Sequence, residues 1–282
     1  MRPRPLGMGR VLALAAVAAG VLAASCGGGT PSPSPGQYAS VRGIRMYYEV
    51  YGHGMALVML HGGLGDGRQF SHQIPEFSKH FRLIVPDLRA QGRTSDGPDS
   101  LTYHEEAEDV IALMDQLKVR QADVMGWSDG GIDGLDLAIH HPDRIRHLVT
   151  FGANFTPDGY MPDDVKWNQT ATAESLGPDA KAAYERTAPD PSHFTVAMNR
   201  ILNLWRTQPN FTLAELGTIR APALIVAGEH DLIREEHSRA LAAAIPGARL
   251  WIVPGANHGV MIDRADVVNP MVLEFLLDHA AH

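Results

Sequence analysis

Gly126-Trp127-Ser128-Asp129-Gly130 is a G-x-S-x-G that stands where a buried-looking apolar run, 122–126, gives way to a helical pattern. A serine nucleophile at such a junction needs a turn so tight that only small residues fit beside it, and Gly126, Gly130 and Gly131 provide them. Free N–H groups and the helix dipole there favour developing negative charge. The same five residues also read as a glycine-rich strand-to-helix turn with an ordinary serine, so the partners decide. A hydroxyl is a poor nucleophile and needs a base within reach, itself oriented by a third group.

Fourteen histidines compete for the base. His258 is best placed: it lies in Pro254-Gly255-Ala256-Asn257-His258-Gly259, just after a strand-like run, at the sheet edge where Ser128 is expected. His140 and His141 end a helix, and His279 and His282 are terminal. For the acid, the apolar run 223–228 leads into Glu229-His230-Asp231; Asp231 is the first choice and Glu229 the second. The expected catalytic set is therefore Ser128, Asp231 and His258. An oxyanion hole needs two N–H donors aimed at one point. Asp129, following the serine, supplies one, and Gly63 in His61-Gly62-Gly63-Leu64-Gly65 is the expected second, with His61 structural.

The elements that must position these residues alternate between short apolar runs and amphipathic stretches, the pattern of an α/β sheet covered by helices. About seven strands are expected, over 44–50, 55–60, 81–86, 122–126, 145–151, 223–227 and 249–253. Thr102 and Glu105 are spaced as a capping box ahead of a helix carrying Val110, Met114 and Leu117 on one face; a second helix follows Ser128, and a third covers 268–277. Residues 155–220 break the alternation. They hold six prolines counted from Pro157 and aromatics from Phe155 to Phe211, and a structureless loop of that length is improbable in a compact domain, so a helical cap is expected there.

The totals exclude several classes. At 282 residues and 45% hydrophobic, the chain can bury a sizeable core. A formal charge of −8, with no long Lys/Arg run, argues against nucleic acid as partner, and a single cysteine can form neither an internal disulfide nor a thiolate metal site. The charge is uneven: residues 1–25 carry Arg2, Arg4 and Arg10 and no acid, leaving 21 basic against 32 acidic groups, a net of −11, on the other 257 residues. Those arginines precede an apolar stretch, 11–24, that reads as an export signal and, at roughly 21 Å as a helix, falls short of a bilayer core of about 30 Å. Leu22-Ala23-Ala24-Ser25-Cys26 resembles a bacterial lipobox. Cleavage before Cys26, lipidation of that cysteine and a Gly/Ser/Pro tether over 26–40 would place the domain outside the cell, its only membrane contact the lipid; without lipidation the protein would be secreted.

From about Ser40 to the end, the chain resembles the α/β-hydrolase superfamily: the His-Gly-Gly loop, Asp87-Leu88-Arg89-Ala90-Gln91-Gly92-Arg93-Thr94-Ser95, the G-x-S-x-G turn, Asp231 and His258 fall in family order, with Ala90 where a glycine is usual. The resemblance implies a mostly parallel sheet built from 41–154 and 221–282, with the cap over 155–220 between the strands counted as its sixth and seventh. Gly126-Trp127-Ser128-Asp129-Gly130-Gly131-Ile132 and Gly152-Ala153-Asn154 resemble the valacyclovir hydrolase group, whose members hydrolyse α-amino acid esters; this implies that Asp129 pairs with the substrate's ammonium. Asp129, Asp133 and Asp136 share a helical face, and they equally suit a helix N-terminus. The reading is a serine esterase on a small ester, needing neither metal nor organic cofactor. Amide, C–C or perhydrolase chemistry on the same residues, or a non-catalytic surface-binding lipoprotein, are the alternatives, and oligomeric state is open.

Overall fold

The computed structural model describes residues 36–278; the expected export signal, Cys26 and most of the expected tether lie outside them. One eight-stranded sheet forms the centre. Its strands are β1 (Gln37–Val41), β2 (Ile44–Tyr51), β3 (Ala56–Leu60), β4 (Arg82–Pro86), β5 (Ala122–Trp127), β6 (Ile145–Phe151), β7 (Ala223–His230) and β8 (Arg249–Asn257). They lie in the order β1-β2-β4-β3-β5-β6-β7-β8, antiparallel at β1-β2 and β2-β4 and parallel from β4 onward.

β3 and β5 are buried at every position, as strands covered on both faces must be. Alternation within them divides the core: Ala56, Val58 and Leu60 face one apolar cluster, Leu57 and Met59 the other. The first cluster is covered by α1 (Tyr103–Gln116), through Val110, Leu113 and Met114, and by α2 (Asp129–His140), through Ile132 and Leu135. Thr102 caps α1 by accepting the Glu105 N–H, as the sequence suggests. Between β6 and β7 the chain forms α3 (Pro162–Thr170), α4 (Gly177–Glu185) and α5 (Phe194–Thr207), and α6 (Glu235–Ala244) follows β7. α7 (Ala265–Asp278) covers the second face with Val268, Val272, Phe275 and Leu276. No helix among the described residues is long and apolar enough to cross a membrane.

Two expectations are corrected. The sheet has eight strands rather than seven, and the tether assigned to 26–40 stops short of Gln37, because 37–41 is the missing edge strand. Its Ala39 and Val41 are buried against the core, and Arg42-Gly43, both at positive φ (43° and 82°), closes a two-residue hairpin onto Ile44.

The segment after β4 is tied down by charge. Arg89 and Asp109, both fully buried, pair through two bonds of 2.8 Å, joining that segment to α1. Asp87 accepts from the Gly67 N–H and from the Arg93 guanidinium. Ala90, the position where the family has glycine, adopts φ 61°, so the turn keeps its left-handed geometry with a methyl group present. Removing one partner of a buried pair strands the other charge, at roughly 3–5 kcal/mol. We expect Asp109→Ala to lower the melting temperature by on the order of 10 °C, and the double change Arg89→Met, Asp109→Leu to lower it much less. Calorimetry on the three proteins checks this; a single variant as stable as the parent would show that the pair is not holding the segment.

Candidate active site

β5 runs straight into α2, and Ser128 is the residue between them, with φ 53° and ψ −115°. A non-glycine residue at positive φ costs roughly 1–3 kcal/mol unless its surroundings impose it. They do so here by close approach. A β-carbon on Gly126 would lie 2.0 Å from the Gly130 carbonyl oxygen, and one on Gly130 would lie 2.1 Å from that of Leu60. The Ser128 N–H donates to Phe151 O (2.8 Å) and the Gly130 N–H to His61 O (3.1 Å), fixing the turn to β6 on one side and to the loop after β3 on the other.

The loops after β7 and β8 bring Asp231 and His258 together. His258 Nδ1 is 2.6 Å from Asp231 Oδ1; a carboxylate can only accept, so Nδ1 carries a proton, and in the neutral ring Nε2 holds the lone pair. Nε2 is buried and has no hydrogen-bond partner among the described residues. Burial alone would raise the Asp231 pKa, but the His258 ring and the N–H groups of Ile233 and Gly228 hold it below the ordinary carboxylate value. Glu229, the second choice for the acid, is exposed and accepts the Gly255 N–H instead. Gly152, at φ 59°, makes room: a β-carbon there would sit 2.7 Å from His258 Nδ1 and 3.1 Å from Asp231 Oδ2. Trp127 steadies the histidine loop by donating from Nε1 to His258 O (2.9 Å).

Ser128, His258 and Gly63 line one cavity, with Tyr160, Asp164, Asn168 and Trp205 on its cap side. Two glutamines shape the loop that carries Gly63. Gln69 Oε1 accepts the Gly62 N–H (2.9 Å) and Gln91 Oε1 the Leu64 N–H (2.7 Å), while no acceptor for the Gly63 N–H between them is found among the described residues. The Asp129 N–H, first in α2, is likewise left over once those of Gly130, Gly131 and Ile132 are bonded. Both expected oxyanion donors are thus spare at the cavity edge. His61 is fully buried. Its Nε2 accepts the Leu88 N–H (2.8 Å), so Nδ1 is protonated and donates to Gly62 O (2.8 Å), and burial depresses its pKa. It is a strut of this loop, as the sequence suggests.

The Asp129 side chain, expected by resemblance to pair with a substrate ammonium, already receives two side-chain donors. It is buried, accepts from Tyr103 Oη (3.1 Å) and from Trp205 Nε1 (2.8 Å to Oδ2), and lies against Gly63, where a β-carbon would be 2.4 Å from Oδ2. Burial lifts its pKa to about 6, against the lowering effect of Trp205, Tyr103 and His258. Behind it, Asp133 and Glu106 are fully buried, and burial reinforced by neighbouring carboxylates raises both well above the usual range. Among the described residues, neither oxygen of Asp133 has a hydrogen-bond partner. Gln69, Gln91, Tyr103, Trp127, Gly152 and Trp205 were not expected from sequence in these roles; only the resemblance at 152–154 pointed toward one of them.

A model described as the Alpha/beta hydrolase family matches residues 57–270. The chain belongs to the α/β-hydrolase family. It is an enzyme of the hydrolase class. Among curated relatives, serine hydrolase BPHL of Mus musculus is 30% identical over 252 residues, covering 84% of each chain. The putative carbamate hydrolase RutD of Caulobacter sp. (strain K31) is 31% identical over 264 residues, covering 84% of this chain and 97% of the relative. Among solved structures, the enol-lactonase from Burkholderia xenovorans LB400 superposes with a TM-score of 0.68 at 28% identity, over 86% of this chain and all of the other. In this α/β-hydrolase the buried Asp129 has a measurable consequence. Its pKa is raised from 3.8 to about 6, so the folded state holds a proton that the unfolded chain has released between those values, and stability present below pH 3.8 is lost as pH rises through 6. Asp129→Asn does not titrate. The variant's unfolding free energy relative to the parent is therefore expected to rise by roughly 2 kcal/mol between pH 4 and pH 7. Urea unfolding of both proteins at several pH values measures the difference; a flat one would mean that Asp129 is ionised throughout.

Proposed function

We propose that this α/β-hydrolase is a serine hydrolase that cleaves small carboxylic esters through an acyl-enzyme, with Ser128 as nucleophile, His258 as base and Asp231 as its orienting acid. The carrying observation is the unpartnered Nε2 of His258, in a cavity that also contains Ser128, on a ring whose other nitrogen is fixed by Asp231. Ser128 Oγ attacks the ester carbonyl carbon as its proton passes to His258 Nε2, and the carbonyl oxygen, now negative, is met by the N–H groups of Gly63 and Asp129. Collapse breaks the C–O bond, and the proton goes from Nε2 to the departing alcohol. Water then repeats the cycle on the acyl-Ser128, giving the acid and free enzyme. The chemistry calls for no cofactor.

The substrate class we propose is esters of α-amino acids. Support comes from the resemblance over 126–132 and from the placement of the Asp129 carboxylate against Gly63, one of the proposed oxyanion donors. A bare carboxylate there opposes oxyanion formation; a substrate ammonium beside it offsets that opposition. Aminoacyl esters should be hydrolysed faster than their N-acetylated counterparts, and Asp129→Asn should abolish the difference while Ser128→Ala stops hydrolysis of both and labelling by a fluorophosphonate. Equal rates on the two esters would refute the substrate class alone. Labelling that persists in folded Ser128→Ala would refute the mechanism.

We further propose that the enzyme is exported and held at the outer membrane face through lipid on Cys26, supported by Arg2, Arg4 and Arg10, the apolar stretch and the lipobox-like run. The negative domain would be repelled by anionic lipid, leaving the acyl chains as the anchor. Cells fed a clickable fatty acid should label the wild-type protein and not Cys26→Ser; equal labelling would dismiss the anchor.

A further inference from the structure

Away from the cavity, on the outer side of the α1–α2 seam, three side chains converge that play no part in the proposed chemistry. Asp136 and His140 are one turn apart on the same face of α2, and His104, in the first turn of α1, reaches them from the neighbouring helix. His104 Nδ1 is 2.9 Å and His140 Nδ1 3.1 Å from the same oxygen, Asp136 Oδ1, and the ring centroids are 4.7 Å apart. One candidate ligand atom from each residue can be chosen so that all three lie within 4.8 Å of one another. The carboxylate is 4% exposed, whereas the His104 and His140 side chains are 50% and 42% exposed.

We propose that His104, Asp136 and His140 form a binding site for a divalent transition-metal ion, with zinc the ion best suited. Two imidazoles and one carboxylate are the ligand types that a borderline ion such as zinc accepts. The spacing agrees. Metal–ligand bonds of about 2.0–2.1 Å put ligands that subtend a right angle or slightly more roughly 2.9–3.3 Å apart, which is where the two nitrogens stand from Asp136 Oδ1. Ligands of a tetrahedral ion stand about 3.3–3.4 Å apart, so imidazole nitrogens up to 4.8 Å apart must turn toward one another by as much as about 1.5 Å, which their exposure permits. Asp136 is set by burial and the two rings lie on the solvent side, so an ion enters from water and keeps water in its remaining positions. Bound there, it joins α1 to α2, the helix that begins at the Ser128 turn. It is a clamp between helices, separate from the ester chemistry.

The arrangement also has an ion-free explanation, in which both rings simply donate N–H to one carboxylate, and titration of the chelator-treated full-length protein with Zn2+ separates the two. One equivalent is expected to bind and to raise the melting temperature. Binding should weaken at least about tenfold in His104→Ala and in His140→Ala and be unaffected in His141→Ala, whose ring, just past the end of α2, pairs with Glu108 of α1 (2.6 Å). Circular dichroism verifies that the variants, altered at exposed side chains, are folded. Co2+ in place of Zn2+ should give a d–d spectrum without the thiolate charge-transfer band that Cys26 would add. No binding by the parent protein, equal affinity in parent and His140→Ala, or binding lost only in Cys26→Ser would each overturn the site.

Discussion

The left-handed backbone of Ser128 is the constraint around which the molecule is arranged. It requires Gly126 and Gly130 to approach one another and the end of β3 at distances no side chain tolerates. That approach in turn requires β3 and β5 to be parallel neighbours whose ends coincide, with Leu60 paired to Gly126. Once they are, the first amides of α2 are shared out: Gly130 binds the loop after β3 through His61 O, Gly131 and Ile132 close the helix, and the Asp129 N–H is left without an acceptor among the described residues. The nucleophile and one proposed oxyanion donor are thus products of a single turn. The second donor follows from the same contact, since the Gly130–His61 bond anchors the loop whose neighbouring amides Gln69 and Gln91 occupy.

Parallel strands explain why so much of this was legible in the chain. Residues that follow the strands of a parallel sheet emerge at one edge, so an unusual residue after each apolar run can be assigned to that edge without knowledge of the fold in detail. Ser128, Asp231, His258 and Gly63 all have that signature, each a polar or glycine position at the end of a run. What was illegible has no local signature. Gln91 meets Leu64 across 27 residues, Trp205 meets Asp129 across 76, and Arg89 finds Asp109 in another element; their types are ordinary where they stand. β1 escaped for a different reason. It is short and mostly exposed, it abuts a Pro/Gly/Ser run, and its turn is Arg-Gly rather than the usual Asn-Gly or Asp-Gly.

The cap also could be placed as helical but not aimed. Its aromatics read alike in sequence, yet their fates differ. Phe194 packs edge-on against Tyr184 inside the cap, whereas Tyr160 and Trp205 line the cavity. Phe155 stacks on His237 at 3.9 Å, and the ring's Nε2 accepts the Phe155 N–H, joining the start of the cap to α6; burial brings that histidine's pKa down to about 4, so it remains a neutral acceptor near neutral pH. A contact made by a neutral ring does not loosen as pH moves between 5 and 8, which keeps the cap's root constant over a range that the site's own acidic groups meet differently.

Those groups are two carboxyls kept in opposite conditions. Asp231 receives a histidine ring and two backbone N–H groups and stays charged; Asp129 receives one phenol and one indole in a drier place, and its pKa rises toward neutrality. Environments that push two acids apart in this way let one site use a fixed charge and a responsive one. The indole on Asp129 belongs to α5 while the carboxyl belongs to α2, so one of the two side-chain donors that lower this acid's pKa comes from the cap and the other, Tyr103, from α1.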